Sequence, residues 1–179
     1  MRVEIRLDMN ATQLNDNEYS AFYRGYVKRL GNADLLEVLK TSEQEVLNAL
    51  SNLTEEQYLY RYAEGKWTIK ELLLHIIDAE RVFNYRALRF ARKDTTDLPG
   101  FDEDCYVDHS FANQRTASEL LQEFSEVRRA TISLFKSFSD ETLMLSGTAN
   151  GNPISVRALG FITAGHALHH LEIIKERYL

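Results

Sequence analysis

Cysteine and proline are nearly absent from this 179-residue chain. The one cysteine, Cys105, cannot close an intrachain disulfide, so nothing in the sequence calls for an oxidising compartment. The two prolines, Pro99 and Pro153, both fall between periodic segments. Proline inside a helix removes a backbone hydrogen bond and clashes with the preceding turn, so this distribution suits long helices. No apolar run approaches the ~20 residues needed to span a bilayer. The stretch Met1 to Asp8 alternates charged with apolar residues and lacks the apolar centre of a signal peptide. A basic surplus is missing too: the net charge is -6, which argues against the basic face that nucleic-acid phosphates require. These absences predict a soluble, cytoplasmic protein that uses neither membrane nor nucleic acid.

What is present is ordinary in amount and regular in pattern. An apolar share of 44% and this length fit one domain over residues 1–179, with an extension over about 1–18 and the body over about 19–179. A short helical stretch is expected near Tyr19 to Leu30. Beyond Gly31-Asn32 a first long helix carries Leu36, Leu39, Val46, Leu50 and Leu53 at helical spacing. A second opens with the capping box Thr68-Ile69-Lys70-Glu71, runs its stripe through Leu72, Ile76, Ala79, Phe83 and Ala87, and ends near Arg92. A third opens with Thr116-Ala117-Ser118-Glu119 and a fourth with Ser155 after Pro153. No hairpin pattern competes, so the chain reads as all-α, and four such helices are most economically buried as a four-helix bundle. The long link from Lys93 to Arg115 between helices two and three is unusual unless it crosses the bundle or covers a site. It permits those two helices to run parallel.

Chemistry is concentrated in histidine. The chain has five histidines, and three of them fall within Gly165-His166-Ala167-Leu168-His169-His170. His166 and His170 stand four apart on the expected buried stripe with Leu159, Thr163 and Ile173, so both rings share one helix face. His75, between Leu72 and Ile76, can turn inward from the second helix. Burying imidazoles without partners costs about 1–3 kcal/mol each. Either a shared metal or well-placed hydrogen bonds would remove that cost. A three-histidine site with an open position is the arrangement of catalytic rather than purely structural metals. His169 projects away from His170 and is expected outside, and His109 belongs to the long crossover.

The stretch Gly65-Lys66-Trp67-Thr68-Ile69-Lys70-Glu71-Leu72-Leu73-Leu74-His75-Ile76-Ile77-Asp78-Ala79-Glu80-Arg81 resembles the signature of the DinB-like (DinB/YfiT) superfamily. So, in order, do Tyr85-Arg86-Ala87-Leu88, Leu98-Pro99-Gly100-Phe101-Asp102 and the terminal run around His166 and His170. The resemblance covers the chain from about Tyr19 onward. It implies a four-helix bundle of up-down-down-up topology and a divalent metal, zinc or nickel, held by His75, His166 and His170. It also implies similarity to transferases that join a low-molecular-weight thiol, such as bacillithiol or mycothiol, to an electrophile. A metal-dependent hydrolase is the alternative, and a non-catalytic stress or ligand-binding protein stabilised by metal is a third. With the aromatics Tyr19, Phe22, Tyr23 and Tyr26, the resemblance also implies a homodimer, although the same rings can cap a monomeric bundle.

The remaining charges and rings have plainer expectations. Asp78, one turn after His75, either orients a ligand histidine from behind or is an exposed or ion-paired carboxylate. Glu80 and Arg81 are expected to pair on the helix surface, and Arg86, Arg89 and Arg92 first to face solvent near the crossover, with contact to an anionic substrate there as the alternative. Trp67 and Phe101 read first as core or loop anchors and second as pocket walls. Cys105 has Asp102, Glu103, Asp104 and Asp108 around it, the opposite of the electropositive setting that activates a thiol.

Overall fold

Residues 9–179 are described by a computed structural model of the chain; the alternating segment Met1–Asp8 lies outside them. Two single turns, Ala11–Gln13 and Ala21–Tyr23, lead into α1 (Arg24–Lys28). The long α2 (Leu35–Leu50) starts where the Asp34 carboxylate accepts from the backbone N–H groups of Leu36 at 2.9 Å and Glu37 at 3.2 Å. Its end falls short of Leu53, because the link to the next long helix holds a small helix of its own, α3 (Glu55–Leu59).

The capping boxes read from sequence set the next starts. Thr68 accepts from the Glu71 N–H at 3.1 Å while Glu71 accepts from the Thr68 N–H at 2.7 Å, opening α4 (Ile69–Ala91). The crossover contains α5 (Glu103–Asp108), and Thr116 with Glu119 then opens α6 (Ala117–Lys136) in the same reciprocal way. A short α7 (Asp140–Leu143) precedes β1 (Ser146–Ala149) and β2 (Asn152–Ser155). Ser155 caps α8 (Val156–Arg177).

The hairpin corrects the expectation that no strand is present. Ser146 pairs with Ser155 and Ala149 with Asn152. Its turn, Asn150-Gly151, has φ of 51° and 70°, the left-handed pair that a tight hairpin requires and that Asn-Gly adopts most readily. Four-residue strands are too short to show period-two alternation.

Cross-links between helices fix their directions. Lys70 donates to the Arg115 carbonyl at 2.6 Å, Arg128 pairs with Glu80 at 2.8 Å and Asn84 donates to Thr131 at 2.6 Å, so α4 and α6 run parallel. The Tyr178 hydroxyl, just past α8, donates to the Trp67 carbonyl just before α4, so α8 is antiparallel to α4. Arg128 also donates to the Leu39 carbonyl, while Glu55 just beyond α2 accepts from the N–H of Ala117 at the start of α6, so α2 and α6 are antiparallel. The order is up-down-down-up. In cross-section α8 lies between α2 and α4, and α6 closes the ring against both. The consecutive long helices α2 and α4 are therefore diagonal to each other, as are α6 and α8.

This ring explains α8. Every residue from Val156 to Ala167 is buried, not one stripe of them, because α1, α2 and α4 surround that half of the helix. A helix apolar on all sides belongs at the centre of a domain. The core also holds a fully buried ion pair. Arg128 meets both Glu80 oxygens at 2.8 and 2.9 Å and donates to Ser42 at 2.6 Å. Glu80 is thus buried and not paired with Arg81 on the surface; Arg81 alone is peripheral, reaching Glu123 at 2.7 Å.

Candidate metal centre

His75 comes from α4, and His166 and His170 come one turn apart from α8. Their Nε2 atoms converge: His75 to His166 is 3.1 Å and His170 to His166 is 3.0 Å. One nitrogen from each ring lies within 4.8 Å of the other two. The expected juxtaposition is therefore present. His75 and His166 are buried, and His170 is partly so.

Hydrogen bonding among the three does not satisfy the cluster. An imidazole nitrogen offers one in-plane hydrogen or one in-plane lone pair, so the His166 Nε2 can serve one neighbour well and not both. A single cation accepting one lone pair from each ring would satisfy all three, and this donor set fits a transition-metal ion. The rings are suited to give those lone pairs. Burial pushes His75 down to about 4. Burial, then the charges of His75 and His169, takes His170 to about 3. Burial and the neighbouring His170 hold His166 well below its ordinary value. All three are neutral at physiological pH. Because all three donors are neutral, they would leave the full charge of a bound ion to act on a ligand. The His170 Nδ1 is buried without a hydrogen-bond partner among the described residues.

A depression of about 140 Å³ opens over the cluster, walled by Phe22, Tyr23, Tyr26, Phe83 and Phe101. Trp67 packs on His75 with ring centroids 4.9 Å apart, and Tyr26 lies edge-on to His166 at 5.6 Å. Tyr26 gets there because Gly165 has no side chain: a Cβ at that position would stand 2.3 Å from the Tyr26 carbonyl oxygen. A second depression, about 240 Å³, also reaches His170 and Trp67. Glu103 lines the first and Asp104 the second. The crossover thus covers the site, as its length suggested.

Several assignments change. Trp67 and Phe101 wall the pocket and also pack against the core. Arg86 is buried, not solvated, while Arg89 pairs with Asp94. Asp78 has its carboxylate 3.4 Å from Arg81, with burial raising its pKa and Arg81 opposing that shift. His169 sits outside the cluster, taking a hydrogen bond from Arg29 at 3.3 Å, and His109 ends α5 with its Nδ1 donating to the Cys105 carbonyl. Cys105 is exposed. Sequence reasoning missed Glu103, Phe83 and the site role of Tyr23 and Tyr26; the only signal was the density of aromatics before α2.

Comparison with known proteins gives the family and the fold. Residues 39–174 match the DinB superfamily. A protein of Oceanobacillus iheyensis named "Putative metal-dependent hydrolase" is 28% identical over 144 residues, covering 78% of this chain and 81% of its own. Among solved structures, YfiT from Bacillus subtilis, described as "a probable metal-dependent hydrolase with an unusual four-helix bundle topology", superposes with a TM-score of 0.69. It is 18% identical, with 79% of this chain and 82% of that chain covered, a likeness of fold.

Proposed function

Because the chain belongs to the DinB superfamily, we propose that His75, His166 and His170 hold a divalent metal ion and that the protein is a metal-dependent enzyme acting on a small electrophilic molecule. The observation that carries this reading is the convergence of three neutral imidazole nitrogens at the floor of an aromatic depression. When bound, such an ion supplies Lewis acidity, polarising an electrophile or lowering the pKa of a water or a thiol. Zinc and nickel both suit imidazole donors.

The chain's own residues do the rest. The aromatic walls exclude bulk water, which strengthens electrostatic interactions inside the site. Glu103 is the one carboxylate among the residues lining the depression, and is placed to take a proton from an incoming nucleophile. Asp78 is the less suitable acceptor, since Arg81 engages it.

The specific reaction we favour is transfer of a low-molecular-weight thiol to an electrophile. Two depressions meeting at His170 and Trp67 give each of two reactants its own entrance. This reading places the protein in the cytoplasm, where small thiols stay reduced, and takes a homodimer as its assembly. Hydrolysis is the second reading, supported by the printed names of the two relatives. The deciding experiment follows loss of an electrophile by metal-loaded protein with and without added thiol. Turnover that requires both metal and thiol supports transfer; turnover without thiol supports hydrolysis. No turnover in either arm, with a large loss of thermal stability on chelation, would leave a metal-stabilised binding protein.

A further inference from the structure

We propose that Arg86 is the anion-recognition residue of a subsite continuous with the histidine centre, and that the substrate therefore carries a carboxylate or phosphate group. The inference rests on the reading of the centre as a small-molecule site and adds the class of molecule.

Three arginines are deeply buried among the described residues. Arg128 is neutralised by Glu80 and Arg157 by Glu18. Arg86, only 4% exposed, has no carboxylate within 4.0 Å among the described residues. A buried charge without a counter-charge is costly, and proteins place one where a ligand supplies the opposite charge. The guanidinium donates to the Pro99 carbonyl at 2.8 Å and lies beside the Tyr23 hydroxyl. That bond orients the fork and leaves most of its five N–H groups unspent.

Arg86 also lines a depression of about 240 Å³, together with Ser20 and the turn residues Asn150 and Asn152, whose amides offer further donors. This depression shares Phe22, Tyr23, Phe101 and Glu103 with the one over the histidines, so a single molecule can span both. Its reacting group would then lie at the histidines while an oxyanion rests on Arg86. Glu103 stands between the two and repels such an anion, which gives the inference an internal control.

The test uses full-length, metal-free protein, so that the ion cannot bind the probe. Inorganic phosphate and acetate are titrated by calorimetry, the two arms separating phosphate from carboxylate preference. Saturable binding of at least one anion is expected, weakened tenfold or more in Arg86→Gln and partly kept in Arg86→Lys. Glu103→Gln is expected to strengthen binding several-fold, an effect that a merely structural Arg86 does not produce. No saturable binding to the wild-type chain, or equal affinity in Arg86→Gln, overturns the inference. Should Arg86→Gln fail to fold, an unchanged affinity in Glu103→Gln overturns it instead. Zinc titrated into the same metal-free proteins in a separate experiment keeps the two readings apart: failure of the histidine site shows as no zinc uptake, and failure of the anion subsite as lost anion binding with zinc uptake kept.

Discussion

Gly165 presses directly on the backbone of Tyr26, with room for a hydrogen and none for a methyl group. That contact sets the distance between α1 and α8 and so lays the Tyr26 ring against His166. Gly165→Ala tests it with opposed signs. Helix propensity alone favours alanine by about 1 kcal/mol, whereas overpacking against a fixed backbone costs about 1–3 kcal/mol. Overpacking is expected to win, lowering the melting temperature and weakening metal binding through displacement of the site wall. A rise in melting temperature would refute the contact.

Metal should stabilise the fold through the three histidines. A ligand that binds only the folded state adds about 2.7 kcal/mol at a hundredfold excess over its dissociation constant. Thermal melts with added zinc or nickel are expected to shift upward for the wild-type chain. His75→Ala, His166→Ala and His170→Ala should each lose most of that shift. His169→Ala should keep it, since that ring bonds Arg29 outside the cluster.

Removing one member of the buried pair between α4 and α6 should be severe. Arg128→Met strands Glu80 without a counter-charge, a change that costs about 3–5 kcal/mol in comparable sites. Replacing both, Arg128→Met with Glu80→Leu, is expected to recover much of the loss. Urea denaturation of the single and double variants measures both. Equal damage from the single and double changes would contradict the pairing.

Acid should weaken the anchoring of residues 9–23. Burial raises the Glu18 pKa, but hydrogen bonds from Arg157, the Asn15 backbone and Ser155, with the Arg157 charge, outweigh it and lower it from 4.5 to about 2. Between those values the unfolded chain binds more protons than the folded one, so the Glu18 contribution is whole above about pH 4.5 and is lost as pH falls toward 2. Melting temperature measured across that window should fall more steeply for the wild-type chain than for Glu18→Gln. Parallel curves would show that the carboxylate contributes nothing.

Local signals were legible in the sequence and distant ones were not. Thr68 with Glu71, Thr116 with Glu119, and His166 with His170 are spaced within one helical turn, so spacing alone shows that the partners meet. Glu80 was misread because Arg81 stands next to it, while its real partner Arg128 lies 48 residues away. Arg86 was misread for a similar reason, since what buries it includes the crossover segment around Pro99. Tyr23 and Tyr26 became pocket walls through the docking of a five-residue helix, which depends on a missing side chain at Gly165 and on no pattern of their own. The Asn150-Gly151 turn was visible, but strands of four residues leave too little alternation to read.

The diagonal placement of consecutive helices has a consequence for how the molecule comes into being. A fragment ending in the crossover would hold α2 and α4, and its complement α6 and α8; within either piece the two long helices make few close backbone approaches. Neither piece can nucleate as a helical hairpin, so assembly must wait for distant segments to interleave, the slow kind of search that long-loop closure imposes. Separately expressed halves should be unstructured alone and regain helicity when mixed, and the histidine cluster, drawn from both, can exist only after they have met.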